Sequence, residues 1–314
     1  MSLSLVGRVA GVVGGCLWAL VALAQGADPS SSAGYSTEDV RIAANGYSLA
    51  ATILKPQGDG PFGAVVLNHG FAATAEERAA QSWLPYRAAA AAFVDRGYVV
   101  VLPSRRGFGR TGGELAEEPG PCWWPRFGRA EQKAADDVMA TWVYTRRLPY
   151  VDPARLILAG QSAGGLTAVF TAAMRAPKGL VAVLSFAAGR GAQVNSDGVP
   201  CAVEPVAELM EELGARIKVP VLFQYAENDR YFGPQVSRLW FDRFHAAVHD
   251  RAASSQYVLQ PATGRNGHFL FTATAGLQLW LPVVEKFLNG NGVRFAQVRH
   301  DEAPAARQVA GLPQ

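Results

Sequence analysis

Ser162 stands in the run Gly160-Gln161-Ser162-Ala163-Gly164, directly after the apolar stretch Leu156–Ala159. This is the G-x-S-x-G spacing, in which a tight, strained strand-to-helix turn holds a hydroxyl clear of the backbone. A side chain at either flanking glycine would collide with the strand or the helix. The hydroxyl is a weak nucleophile until a neighbouring base takes its proton. Of the five histidines (His69, His245, His249, His268 and His300), His268 lies in PATGRNGHFLF, between the last apolar run and the last helical stretch. A loop there can carry a base over the serine. Such a base needs a carboxylate to fix its tautomer and support the imidazolium. VPVLFQYAENDRYF supplies Asp229 just past an apolar run, with Glu227 as the competing carboxylate. Asp229 is preferred because it sits deeper in the turn. A tetrahedral intermediate also needs donors aimed at its oxygen. VVLNHGFAAT ends an early strand at His69-Gly70-Phe71, so the Phe71 N–H could meet the Ala163 N–H. His69 then reads as a structural hydrogen-bonding residue rather than a base.

The elements that must position these groups alternate along the chain. Val40–Ala44 and Tyr47–Leu54, joined at Asn45-Gly46, have the alternation and turn of a β-hairpin. Nearly continuous apolar runs follow at Ala64–Leu67, Tyr98–Leu102, Arg155–Ala159, Val181–Phe186, Val219–Tyr225 and Gln256–Leu259. Such runs suit strands buried on both faces. Between them, Trp83–Arg96, Arg129–Arg146, Leu166–Arg175, Pro234–His249 and Leu277–Leu288 carry apolar groups at helical spacing. The alternation predicts an α/β fold: a mostly parallel central sheet with antiparallel N-terminal strands at one edge and helices on both faces. One domain over about residues 35–290 is expected, with a loosely ordered tail over 291–314. Insertions at about 111–128 and 187–218 follow strand ends, the edge where open α/β sheets bind ligands. Val203–Leu213 could form a short cap helix there.

With these pieces in order, the sequence resembles the α/β-hydrolase superfamily, and within it the dienelactone hydrolase-like and prolyl-oligopeptidase-like branches. NHGF, SRRGFGRTGG, YVDPARLILAGQSAGG, AEND and the Gly267-His268 pair carry the resemblance, over about residues 40–288. The chain order Ser162, Asp229, His268 is the order of that fold's triad. The resemblance implies Ser162 as nucleophile, Asp229 as acid, His268 as base, and Phe71 with Ala163 as oxyanion donors. Dienelactone hydrolases proper use a cysteine nucleophile. The serine here therefore implies ester hydrolysis through an acyl-enzyme, with no cofactor. The alternatives are a serine peptidase or amidase of the prolyl-oligopeptidase-like kind, or a catalytically silent binding protein on the same fold.

Composition narrows the setting. The 314 residues are 49% hydrophobic and 18% charged, as in a globular protein, and the formal charge is only +3. No Lys/Arg-rich run points to nucleic acid, so the expected partner is a small-molecule ester. After Arg8, the 16 residues Val9–Ala24 are apolar and end in Ala22-Leu23-Ala24. That pattern predicts a signal peptide over residues 1–24 and export to a periplasmic or extracellular space. No stable membrane partner is expected after cleavage. An uncleaved anchor and lipidation at Cys16 are the rival readings. Export would leave Cys122 and Cys201, an even count that favours a disulfide in an oxidising compartment over two separate thiols.

Other signals carry less. Gly107–Gly112 satisfies G-x-G-x-x-G but leads into a proline-containing stretch rather than a helix, so no dinucleotide site is expected. Arg106 beside it reads as structural. His245 and His249 are four apart without acidic company, and no metal is predicted. Trp123 and Trp124 could line an acyl or aromatic subsite, or pack the insertion under itself. Arg105, Arg126, Arg129 and Arg190 could favour an anionic substrate, or could be salt-bridged to neighbours.

Overall fold

The computed structural model describes residues 34–191, 200–250 and 252–297. The expected signal segment, Cys16 and His300 lie outside the described residues. The hairpin forms from β1 (Tyr35–Ala44) and β2 (Tyr47–Pro56), paired antiparallel across Asn45-Gly46. Six further strands follow: β3 (Phe62–Asn68), β4 (Tyr98–Pro103), β5 (Val151–Gln161), β6 (Leu180–Phe186), β7 (Val221–Ala226) and β8 (Ser255–Gln260). They make one sheet of order β1-β2-β4-β3-β5-β6-β7-β8. β2 pairs antiparallel with β4, and every later pairing is parallel. The mostly parallel sheet with antiparallel N-terminal strands is thus as expected, and its central members are buried on both faces.

Seven α-helices cover it among the described residues: α1 (Ala75–Ala79), α2 (Arg87–Val94), α3 (Phe127–Thr145), α4 (Ala163–Arg175), α5 (Val203–Arg216), α6 (Pro234–Ala246) and α7 (Leu277–Gly290). α3 to α6 pack on one face, where Val66, Val101, Leu158 and Phe223 meet Trp142 and Trp240. α2 and α7 pack on the other, where Val65, Val100, Ile157 and Leu222 meet Phe93 and Trp280. Side-chain alternation along each strand feeds the two cores in turn.

The structure adjusts three sequence expectations. The helix expected from Trp83 begins as a 3-10 turn at Leu84–Tyr86, with Pro85 inside it, and becomes α-helical only at Arg87. α1 was not anticipated, although Thr74-x-x-Glu77 is a capping box: each side chain bonds the other's backbone N–H. α5 does not act as a cap. Its apolar face (Val206, Leu209, Met210, Leu213) is buried in the core against α4 and α6, and the Trp240 indole donates to the Val203 carbonyl at 2.9 Å. The demand to bury that face outweighs any role over the sheet edge. No helix among the described residues is long and apolar enough to cross a membrane.

Trp280 is fully buried, with Phe93, Phe186 and Phe271 ringed about it at centroid distances of 5.1–6.1 Å. Truncation there removes a large side chain from a close-packed core. Trp280→Ala is expected to cost about 3–5 kcal/mol, read as a lower urea midpoint at unchanged slope.

Candidate active site

β3 and β5 are neighbours in the sheet, and the topology reverses direction around them, the position where open α/β sheets form a crevice. At the end of β5 the chain turns at Ser162, whose φ of 59° and ψ of −127° lie outside the regions a side-chain-bearing residue ordinarily occupies. The Ser162 N–H donates to the Phe186 carbonyl (2.9 Å), and its own carbonyl accepts from Gly165 and Leu166 as α4 begins. The flanking glycines are sterically required. A methyl group on Gly160 would overlap the Gly164 carbonyl, and one on Gly164 would overlap the His69 carbonyl. The turn that strains Ser162 therefore also brings the loop after β3 against the start of α4.

His268 lies in a short 3-10 turn after β8, and Asp229 in the loop between β7 and α6. Both are buried, and His268 Nδ1 lies 3.1 Å from Asp229 Oδ2 and 3.2 Å from Oδ1. Asp229 Oδ1 also accepts from the N–H groups of Tyr231 (2.8 Å) and Phe232 (2.9 Å), which fixes the carboxylate. Glu227 is exposed and does not take this place. Ser162 and His268 share one cavity wall, but among the described residues the Ser162 hydroxyl makes no hydrogen bond to the imidazole. A serine–base link of this kind is often loose without substrate and tightens on binding.

Phe71 and Ala163 line the same cavity of about 810 Å³. Among the described residues, neither backbone N–H has an acceptor within the protein. His69 does not line this cavity. Its Nδ1 donates to the Gly70 carbonyl (2.7 Å) and its Nε2 accepts from the Arg105 N–H (3.1 Å), so the neutral tautomer is fixed. Burial, reinforced by the Arg105 charge, pushes this imidazole down to about 3. The structural reading of His69 agrees with these contacts.

The residues that join these parts were missed in the sequence. Gln161, treated there only as a variable position of the turn, donates from Nε2 to the His268 carbonyl (2.9 Å). Its Oε1 accepts from the Tyr86 hydroxyl (3.2 Å), which itself accepts from the Gly70 N–H (3.1 Å). One chain of bonds thus runs from the loop after β3 to the His268 loop. Asn228 and Asn266 staple the loops that hold Asp229 and His268. Asn266 Oδ1 accepts from the N–H groups of His268 and Arg230, and Asn228 Oδ1 accepts from that of Thr263. The available signal was local: an asparagine two residues before the histidine, and another directly before the aspartate, both side chains suited to closing turns.

The expected pocket lining by Trp123 and Trp124 is not found. They are 85% and 71% exposed, and neither lines the cavity. The chain turns back at Pro121–Trp124, where the Trp124 N–H bonds the Pro121 carbonyl, and this turn directs both indoles to solvent instead of under the insertion. The cavity instead meets Phe71, Leu115, Phe127, Tyr231, Phe232 and Phe269. Cys122 and Cys201 are bonded, joining two wall segments 79 residues apart in sequence. Arg126 and Arg129 are exposed and off the cavity, whereas Arg105 and Arg190 are buried in ion pairs with glutamates. Arg106 bonds Asp137 and lies over the Tyr47 ring. Gly107–Gly112 stays a turn, with Phe108 packed against His69 and Phe71. His245 bonds Ser255, and no three-residue cluster that could hold a metal occurs among the described residues.

Comparison with known proteins bears on the family and the fold. The family described as X-Pro dipeptidyl-peptidase (S15 family) matches residues 45–210, more than half of the chain. No curated protein matches in sequence. Among solved structures, an esterase of Pyrococcus furiosus is similar at 16% identity and a TM-score of 0.57, over 89% of this chain and 95% of that one. Est1E of Butyrivibrio proteoclasticus, solved with ferulic acid, is 18% identical with a TM-score of 0.57, over 80% and 98%. The acylaminoacyl peptidase of Pyrococcus horikoshii is 12% identical with a TM-score of 0.59, covering 86% of this chain but 43% of that one. The fold is that of the α/β-hydrolases.

His69 gives a pH test of the buried loop. Its folded-state pKa of about 3 lies below the ordinary histidine value, so the unfolded chain binds more protons between the two. Stability contributed by the neutral imidazole is therefore lost as pH falls from about 6.5 toward 3. His69→Gln, which keeps an acceptor but does not titrate, is expected to lower the melting temperature at pH 7 and to flatten its decline between pH 7 and 4.

Proposed function

The chain belongs to the X-Pro dipeptidyl-peptidase family (S15), and from that footing we propose that it is an exported serine hydrolase that cleaves carboxylic esters of small molecules. The observation that carries this reading is the buried Asp229–His268 pair, whose His268 lines the same cavity as the strained Ser162 turn. Asp229 orients the imidazole through Nδ1, which leaves Nε2 to take the Ser162 proton. The hydroxyl oxygen then attacks the ester carbonyl carbon, and the negative charge developing on the carbonyl oxygen is met by the N–H groups of Phe71 and Ala163. The imidazolium returns its proton to the departing alkoxide, leaving an acyl-enzyme. Water, deprotonated by the same imidazole, attacks the acyl carbon and releases the acid and free Ser162. All of these steps use groups of the chain itself.

Export fits the disulfide, since such bonds persist in oxidising compartments. The aromatic lining of the cavity suits an apolar acyl or alcohol group of moderate size. Family membership favours one second reading, a serine peptidase or amidase. The two share the acylation step. Because an alkoxide leaves more readily than an amine, a triad able to cleave amides also cleaves activated esters, and ester cleavage is the claim common to both.

The test is labelling with a fluorophosphonate, followed by mapping of the adduct and assays on p-nitrophenyl esters and an Ala-Pro anilide. Ser162 is expected to carry the label, and Ser162→Ala and His268→Ala to lower ester kcat/KM by at least about 10⁴-fold. Cleavage of the anilide at rates rivalling the esters would establish the peptidase reading. Folded protein that neither labels nor turns over any ester would be a binding protein on this fold.

A further inference from the structure

At the cavity wall, which Arg190 lines, and directly behind it lie four charge-bearing side chains that the acyl-transfer steps do not use. Arg105 makes a two-pronged pair with Glu117, Nε to Oε2 at 2.7 Å and Nη2 to Oε1 at 2.9 Å. Arg190 pairs through Nε with Glu131 Oε1, and its Nη2 lies 3.6 Å from Glu117 Oε2. All four are buried to 3% exposure or less, and two positive charges balance two negative ones. Burial at this depth is costly unless each charge is paired. The pairing is good for the glutamates and incomplete for Arg190. Its Nη1 and Nη2 have no hydrogen-bond partner among the described residues.

What Arg190 has instead is an aromatic ring. Its guanidinium carbon lies 5.5 Å from the centroid of Phe71, within the range of a cation–π contact that strengthens when desolvated. The other arms of the quartet reach the same region. Arg105 Nη1 donates to the His69 carbonyl at 2.8 Å. Glu131 Oε2 accepts from the Thr167 hydroxyl on α4 at 2.6 Å. Gly189, directly before Arg190, donates its N–H to the Ser162 carbonyl at 3.3 Å. The quartet therefore touches the loop after β3, the first turns of α4 and the segment after β6, which together hold both proposed oxyanion donors.

We propose that Arg190 is a positioning residue for the oxyanion hole: anchored by Glu131 and Glu117, it holds the Phe71 ring and so aims the Phe71 N–H toward Ser162. The inference rests on the acyl-transfer reading above. Arg190 touches no reacting atom in this role. Its loss leaves the ring with only its edge contact to Phe108 and the donor misaimed, an error felt in the transition state and little in the ground state.

The experiment uses the full chain with Arg190→Met, which keeps the length and removes the charge, beside Arg190→Lys and Phe71→Leu. Arg190→Met is expected to lower ester kcat about 10- to 100-fold, with KM changed by less than about threefold. A trifluoromethyl ketone, whose Ser162 adduct places an oxyanion in the hole, should bind weaker by the same factor. Arg190→Lys should recover part of both. Arg190→Met combined with Phe71→Leu should lose no more than the worse single variant, since both break one contact. Folded Arg190→Met with wild-type kcat and ketone affinity overturns the inference. So does a raised KM at unchanged kcat, which would make Arg190 a substrate-binding group. Should Arg190→Met fail to fold, Phe71→Leu reads the contact from the other side: a kcat loss at constant KM supports the inference, and wild-type kcat overturns it. Failure of the underlying reading is separately visible, as absence of fluorophosphonate labelling at Ser162 in the unmodified protein, and it removes this inference as well.

Discussion

The structure turns on a backbone contact that only glycine permits. Gly164, at the start of α4, sits against the His69 carbonyl so closely that a single methyl group would not fit. Because β3 and β5 are adjacent and parallel, the loop leaving β3 and the helix leaving β5 emerge side by side at one edge. The contact pulls them together and sets Ser162 in its unfavourable backbone conformation. Strain of this kind costs on the order of 1–3 kcal/mol and persists only when the surroundings over-determine it. Here they do: the Ser162 N–H is tied to β6 and its carbonyl to α4 and Gly189.

Around that contact the polar groups fall into two sets of different character. Tyr86, Gln161, Asn228 and Asn266 are neutral, and they tie the loops together through backbone atoms. Arg105, Glu117, Arg190 and Glu131 form a buried, ion-paired set, of which Arg190 also lines the cavity. Burial alone would raise both glutamate pKa values. For Glu117 the two flanking arginines outweigh it and hold the carboxyl below its ordinary range. For Glu131 burial prevails and the carboxyl is held above it. The difference follows from partner number, since Glu117 faces two guanidinium groups and Glu131 faces one.

Much of this was legible in the sequence, for reasons that can be stated residue by residue. Strands such as Val99–Val101 and Leu156–Ala159 are apolar throughout because both faces are covered, and an uninterrupted run reports that directly. The turn at Gly160–Gly164 was legible because steric exclusion leaves glycine as the sole choice at two positions. Asp229 and His268 were found because each follows a strand end. What escaped was whatever depended on the meeting of distant segments. Gln161 looked like filler because its partners, Tyr86 and His268, are 75 and 107 residues away. Arg105 and Arg190 left both readings open, since only the fold could decide whether Glu117 and Glu131 or a ligand would meet them.

The tryptophan pair shows the opposite error, in which local chemistry suggested more than the tertiary structure allows. Trp123 and Trp124 sit beside Cys122 in an insertion after a strand end, and each of those facts favours a place in the pocket. Both facts concern where the backbone goes. The direction of a side chain is set by the turn that carries it, and the turn at Pro121–Trp124 faces the indoles outward while the cysteine beside them reaches in to its partner. The apolar wall is built instead by Phe71, Phe127, Tyr231, Phe232 and Phe269, drawn from four separate segments. Three of these, Tyr231, Phe232 and Phe269, also surround the His268 ring at 4.5–5.6 Å. The aromatic groups that shape the cavity are therefore the same ones that exclude water from the imidazole. The lining of the cavity and the environment of the imidazole are then coupled, and substitutions that enlarge the cavity at these three positions also rehydrate His268.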